Sequence, residues 1–247
     1  MVSIITPCYN GSRFIGQTIN SVFQQTYQDW QLIIIDDCST DDSLEVIYSY
    51  SVNNPKVKVI SLKKNVGAAM ARNIALKAAQ GRYISFLDGD DIWVPEKLER
   101  QVNFMFSNNY AFTFSAYRLM EENGKLENRI IKVPPVLSYT DYLKNTIIGC
   151  LTVIIDKEQV GEFEMPNLRS SHDMALWLQI LKKGYKAYGL NEVLAYYRLV
   201  GNSNTVKKRK AARDVWRVYR KIERLSIAYS VYCFLFYAFN AVKKRML

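Results

Sequence analysis

Histidine is almost missing from this 247-residue chain, where His172 stands alone, so a histidine-built transition-metal centre is excluded. Any bound divalent ion has to rest mainly on carboxylates, which favours magnesium or manganese. Cysteine is nearly as scarce: Cys8, Cys38, Cys150 and Cys233 lie far apart and form no Cys-x-x-Cys pair. Neither a disulfide framework nor a thiolate zinc site is suggested, and a reducing compartment fits best. A glycine-rich dinucleotide fingerprint is missing after the first apolar run, and no Walker motif occurs anywhere, which argues against hydride transfer and P-loop chemistry. The chain opens directly on Val2-Ser3-Ile4-Ile5 without a charged-then-apolar leader, so retention in the cytoplasm is expected.

What the chain has in quantity is apolar residues, 49% of the total, enough for one compact domain with a sizeable core and a small appendage. Charge is unevenly spread. Residues 1–206 hold 21 Lys+Arg against 21 Asp+Glu, and residues 207–247 hold 12 against 2, so the net +10 resides in the tail. A basic block of this kind suits a polyanion, either anionic lipid headgroups or nucleic acid.

Strand-like runs begin at Val2, Trp30, Val57 and Tyr83, at intervals of 28, 27 and 26 residues, with a helix-like stretch after each of the first three. This repeated βα unit predicts an α/β fold with a mostly parallel sheet. Helices are expected over Phe14–Gln25, after the N-cap candidates Ser39-Thr40-Asp41, over Ala68–Ala79 and over Glu96–Phe106. A more irregular half follows, with strands expected at Ala111–Leu119, Leu151–Ile155 and Ala187–Leu190. It also holds a turn at Glu122-Asn123-Gly124-Lys125, and a helix over His172–Lys183 that Gly184 ends. The expected division is a body over 1–206, with halves over 1–109 and 110–206, and a helical tail over 207–247.

In a parallel α/β sheet, ligands bind beyond the carboxyl ends of the strands. Two acidic groups fall there: Ile33-Ile34-Ile35 runs into Asp36-Asp37, and Tyr83 to Leu87 runs into Asp88-Gly89-Asp90-Asp91. Three carboxylates within four residues repel one another unless a cation or a proton offsets them, and Gly89 lets the backbone bend. A hard divalent ion is the simplest partner, completing its shell with phosphate oxygens. The bland alternative is a solvated loop capping the next helix; the fully apolar strand before it favours the metal. For Asp36-Asp37, helix capping by Ser39 or Thr40 would leave either carboxylate for a base or ribose. Asn65 to Asn73 opens the third helix at the same rim. There Gly67 permits a tight loop, and Arg72 either meets a diphosphate, orders the Asp cluster or is a surface charge.

Four segments together resemble family 2 glycosyltransferases of the GT-A fold: Thr6-Pro7-Cys8-Tyr9-Asn10, Asp36 to Asp41, Asn65 to Asn73, and Phe86 to Trp93. The resemblance implies an inverting enzyme that uses a nucleotide-activated sugar, with Thr6, Pro7 and Tyr9 near the nucleotide and Asp36 or Asp37 on uracil or ribose. It also implies that Asp88 and Asp90 form the Asp-x-Asp element holding manganese or magnesium against the donor diphosphate, with Asp91 as a third member. Ser170 to Leu178 resembles the family's acidic pair before a Trp-containing helix, which makes Asp173 the expected base and places His172 where Glu is frequent. Without the resemblance, Asp173 reads as a first-turn residue favoured by the helix dipole. Ala195 to Arg198 with Gly201-Asn202-Ser203 resembles the family's closing loop, in which Arg198 would pair with phosphate; a strand-end surface charge is the other reading. Val200 stands where many relatives carry His.

The tail alternates cations with Val215, Trp216, Val218, Tyr219 and Ile222 before an apolar stretch, Leu225 to Val242. Tyrosines and flanking cations favour amphipathic helices on the inner, anionic face of the cell membrane over a spanning helix. Packing of the tail on the body, or on a second copy as a homodimer, is left open. No module for nucleic acid is recognisable. Tail and body resemble bacterial glycosyltransferases of teichuronic acid or capsular polysaccharide assembly, which implies a glycan or lipid-linked acceptor. The competing readings are a nucleotidyltransferase or other metal-dependent phosphate chemistry, and a non-catalytic sugar-nucleotide-binding membrane protein.

Overall fold

The computed structural model describes residues 1–52, 54–201 and 208–246. Its first half is β1 (Val2–Cys8), α1 (Ser12–Phe23), β2 (Trp30–Asp36), α2 (Ser43–Ser51), β3 (Val57–Ser61), α3 (Ala68–Ala78) and β4 (Tyr83–Phe86). β1 lies between β2 and β4, parallel to both, and β3 extends the sheet beyond β2. These strands are apolar on both faces because both faces are covered. Ile33 and Ile35 pack with Ala71 and Ala75 of α3, and Ile34 packs on the other side with Ile15, Ile19 and Val22 of α1.

The second half continues with β5 (Ile92–Trp93), α4 (Lys97–Asn108), β6 (Phe112–Glu121), β7 (Leu126–Ile131), β8 (Val136–Leu137), α5 (Tyr139–Lys144), β9 (Ile154–Asp156), α6 (Lys157–Val160), α7 (His172–Lys182) and β10 (Ala187–Leu199). The sheet order is β3-β2-β1-β4-β9-β6-β10-β5. β9 runs antiparallel between β4 and β6, so the repeated parallel unit ends at β4 and a mixed sheet follows. The α/β architecture expected from the strand spacing is observed, parallel through β1 to β4 and mixed beyond them.

Three local expectations are corrected. Over Leu151–Ile155, a 3-10 turn occupies Cys150–Thr152 and the strand begins at Ile154. The strand expected over Ala187–Leu190 continues to Leu199, carried past its polar centre by bulges in its pairing with β6 between Leu190 and Ala195. Ser39 and Thr40 do not cap α2, whose N-cap Asp42 makes no capping bond. Their groups bond instead to the loop after β1: the Asn10 N–H donates to Ser39 Oγ at 3.0 Å, and the Thr40 N–H donates to Asn10 Oδ1 at 2.8 Å. Hydroxyls that could cap locally were drawn into a tertiary bond.

The tail is helical, as α8 (Lys208–Arg217), a π-helical turn over Val218–Ile222 and α9 (Ile227–Met246). One side of it packs on the body. Tyr219 is fully buried with its hydroxyl on the Leu143 carbonyl, and Asn240 donates to the Lys144 carbonyl at 3.0 Å. The buried Glu223 carboxylate accepts from the Tyr139 hydroxyl at 2.6 Å and from Lys182 Nζ at 3.0 Å. Among the described residues, no helix is long and apolar enough to cross a membrane.

Candidate active site

The parallel register brings the strand ends to one rim. Cys8 pairs with Asp36 and Ile5 with Phe86, so the loops after β1, β2 and β4 emerge side by side. Thr6 is fully buried and its Oγ1 has no protein partner. Pro7 is half-buried at the same strand end, and Tyr9 just beyond is 53% exposed. Asp36 is buried, with one oxygen near the Ser39 N–H at 3.3 Å and the other without a partner.

Asp37 does something the motif reading did not anticipate. Its two oxygens accept the Val66 N–H at 2.7 Å and the Gly67 N–H at 2.8 Å, and Asn65 donates to its carbonyl at 3.1 Å. The loop opening α3 is thereby tied to the end of β2. Gly67 has φ +84°, and a Cβ there would meet nothing within 4 Å, so backbone conformation rather than space requires glycine.

Arg72 lies one turn into α3, 4% exposed, and of the roles open to it the structure shows the ordering one. Its Nη2 pairs with Asp88 Oδ1, and its Nη1 donates to His172 Nε2 at 2.7 Å. An arginine always donates, so His172 accepts at Nε2 and carries its proton on Nδ1, directed at the Leu168 carbonyl at 3.3 Å. Burial, reinforced by the neighbouring guanidinium, holds the His172 pKa below its ordinary value and keeps the ring neutral. The histidine that replaces the family's frequent Glu thus acts as an acceptor for Arg72.

Beyond β4 the acidic loop is pressed against the end of β1, where a Cβ on Gly89 would meet the Pro7 carbonyl at 3.3 Å. Asp88 and Asp90 line a cleft of about 860 Å³, together with Ala68, Arg72, His172 and Asp173. Burial first, and the Asp88 charge second, push the Asp90 carboxyl up to about 6. Asp91 is only 1% exposed and is not among the cleft-lining residues; one of its oxygens accepts the Arg198 N–H at 2.9 Å and the other has no partner. Among the described residues, no three acidic, histidine or cysteine side chains converge into a ready-made metal cage. Asp173 is half-buried in the first turn of α7, and no described residue donates a hydrogen bond to its carboxylate.

Arg198 falls within β10 and not in an open loop; Asn202 and Ser203 of the expected closing loop lie outside the described residues. Its guanidinium is buried with protein acceptors all round. Nε donates to the Asp90 carbonyl at 2.7 Å, Nη1 to the Glu122 carbonyl at 3.0 Å and Nη2 to Gln17 Oε1 at 2.7 Å, while the group stacks over Phe14 at 4.7 Å. The side chain expected on a phosphate braces the acidic loop from behind.

Sequence reasoning missed the far wall of the cleft, which includes Tyr117, Arg129, Arg169 and Tyr197, and Tyr237 and Asn240 of α9. No spacing signal marks them, because β6, β7 and β10 come together only through the long-range sheet. Tyr117, Tyr197, Tyr237 and Asn240 fall within segments noted for other reasons, and Arg169 stands one residue before the noted Ser170.

Residues 3–154 match the family model for glycosyl transferase family 2. The putative teichuronic acid biosynthesis glycosyltransferase TuaG of Bacillus subtilis (strain 168) is 51% identical, over 100% of this chain and 98% of that protein. The UDP-Glc:alpha-D-GlcNAc-diphosphoundecaprenol beta-1,3-glucosyltransferase WfgD of Escherichia coli is 36% identical, over 99% of this chain and 95% of its own. The mannosyltransferase PcManGT from Pyrobaculum calidifontis, solved in complex with GDP-Man and Mn2+, shares the fold with a TM-score of 0.71 at 17% identity, over 91% of this chain and 64% of that one.

Proposed function

Since this chain belongs to glycosyl transferase family 2 and is a GT-A glycosyltransferase of cell-surface polysaccharide biosynthesis, we propose that it moves a sugar from a UDP donor to a lipid-linked glycan with inversion at the anomeric carbon. The observation that carries this reading is the cleft itself. It sets two carboxylates, Asp88 and Asp90, and a third without hydrogen bonds from described residues, Asp173, around one space at the carboxyl rim of the sheet.

Asp88 and Asp90 fit a divalent ion. They are two hard oxygen donors facing the cleft, and burial together with the Asp88 charge disfavours ionised Asp90, an effect that a cation between the two would offset. Manganese or magnesium held there would supply Lewis-acid stabilisation of the leaving diphosphate. The chain's own residues do the rest. Arg72 fixes Asp88, and Arg198 and Asp91 hold the backbone of the loop, so that the carboxylates keep their separation. Thr6, Pro7, Tyr9 and Asp36 are assigned to the nucleoside, with the unpartnered Thr6 Oγ1 and Asp36 Oδ1 as the available polar atoms. Asp37 acts one step back, by shaping the Asn65–Gly67 loop. Asp173 takes the proton of the acceptor hydroxyl as that oxygen attacks the anomeric carbon and the bond to the diphosphate breaks.

The tail supports a site of action on the membrane. α9 shows solvent an apolar stripe, with Ile227 65% exposed, Leu235 65% and Phe239 67%, on a tail carrying 12 Lys+Arg against 2 Asp+Glu. Such a face, with cations nearby, suits the anionic inner leaflet of the cell membrane, where a lipid-linked acceptor resides.

The test is product identity. With manganese, UDP-glucose or UDP-N-acetylglucosamine and a lipid-diphosphate acceptor, UDP should appear only when acceptor is present, and the new linkage should have the opposite anomeric configuration. Pyrophosphate or inorganic phosphate as the direct product would refute it.

A further inference from the structure

The cleft contains more positive charge than donor chemistry uses. Of its arginines, Arg72 is committed to Asp88, but Arg129 of β7 and Arg169 before α7 have no such role. Arg169 is exposed and forms no ion pair with any described residue. Arg129 reaches only Glu127, at 3.2 Å, and its Nε is buried with no acceptor at all. A buried guanidinium N–H without a partner is costly, and an anion entering the cleft would remove that cost. Of the acidic residues lining the cleft besides Asp88, Asp90 and Asp173, Asp214 is already engaged by Arg217 at 3.4 Å and by the Ser170 hydroxyl at 2.6 Å, so it does not cancel the two cations.

The same wall is built in part by α9, through Tyr237 and Asn240, and α9 carries the exposed apolar stripe on another of its faces. One helix therefore borders the cleft and offers a surface for hydrocarbon. Resting on the glycosyltransferase reading above, we propose that Arg129 and Arg169 form a subsite for the diphosphate of the acceptor, separate from the donor diphosphate, with its alkyl chain leaving along α9. The pair sorts acceptors by their phosphate and orients the sugar beyond it toward Asp173.

The experiment titrates decyl diphosphate into the full chain with the donor site filled by UDP and Mn2+, and repeats the titration with inorganic pyrophosphate. Wild-type protein should bind decyl diphosphate more tightly than pyrophosphate. The double variant Arg129→Gln/Arg169→Ala should lose roughly tenfold or more in affinity for decyl diphosphate, the loss expected for charge-assisted contacts. Its affinity for UDP should be unchanged. Arg169→Ala alone changes an exposed side chain and should show part of the loss, which keeps the test open if the double variant folds poorly. Decyl diphosphate binding that is absent, or equal in all variants, would overturn the subsite; pyrophosphate binding as tightly as the decyl ester would overturn its assignment to a lipid. Failure of wild-type protein to bind UDP would instead count against the donor reading, and the decyl diphosphate titrations would still decide the subsite.

Discussion

Metal binding at the acidic loop should be coupled to a proton, and the size of the coupling follows from Asp90. Its carboxyl titrates near 6 instead of the ordinary 3.8, because burial and the Asp88 charge both oppose ionisation. In the metal-free protein, the raised value means that the fold prefers protonated Asp90. The associated stability is complete below about pH 4 and is lost as the pH rises through 6, amounting to on the order of 3 kcal/mol. A divalent ion needs the ionised form, so Mn2+ must displace the proton at low pH. With a pKa of about 6 the ionised fraction falls roughly tenfold between pH 7 and pH 5, and the apparent Mn2+ affinity should fall with it. Calorimetric titration of Mn2+ in the presence of UDP measures this. Because the terminal phosphate of UDP also titrates near pH 6, the reference is Asp90→Asn, which retains Asp88 and should bind Mn2+ weakly with a shallower pH dependence. Equal slopes in the two proteins would show that Asp90 neither titrates near 6 nor meets the metal.

Other expectations follow from single contacts. Arg72→Met leaves Asp88 and His172 without their shared donor and should destabilise the protein by roughly 2 kcal/mol in urea denaturation, less than a fully buried pair would lose because Asp88 is a third exposed. Gly67→Ala forces a side chain into φ +84° and should cost about 1–3 kcal/mol by the same assay, with no steric clash to relieve. Leu235→Ser with Phe239→Ser should leave the melting temperature unchanged and weaken binding to phosphatidylglycerol vesicles at least roughly tenfold, since both side chains are exposed in the free protein. Binding of the unaltered chain should weaken as salt is raised.

The half of the fold that was legible in the sequence is the half in which local pattern and tertiary demand agree. Ile33-Ile34-Ile35 is apolar without alternation because helices cover both faces of β2, and that run predicts a parallel strand directly. Only Ala187–Leu190 of β10 reads as a strand from sequence; the bulges that carry it past the polar Asn191-Glu192 to Leu199 depend on pairing with β6, more than seventy residues earlier in sequence. The continuation places Arg198 inside the sheet, where its guanidinium meets protein acceptors instead of standing in a closing loop. The acidic rim was visible because carboxylates follow apolar strands, yet which partner Arg72 chooses is settled by His172, a hundred residues away. The docking of the tail through Glu223 to Tyr139 and Lys182 has no local signature either, since a lone carboxylate in a basic helix looks like an ordinary surface charge.

The division of labour around the cleft is tested most directly by Asp173→Asn, measured for UDP affinity and for acceptor-dependent UDP release in the same preparation. The substitution keeps the shape and removes the proton acceptor. UDP should bind within about twofold of wild type while release falls by roughly a hundredfold or more. Release at the wild-type rate would contradict the account, because no other carboxylate of the cleft is left without a structural or metal-holding task.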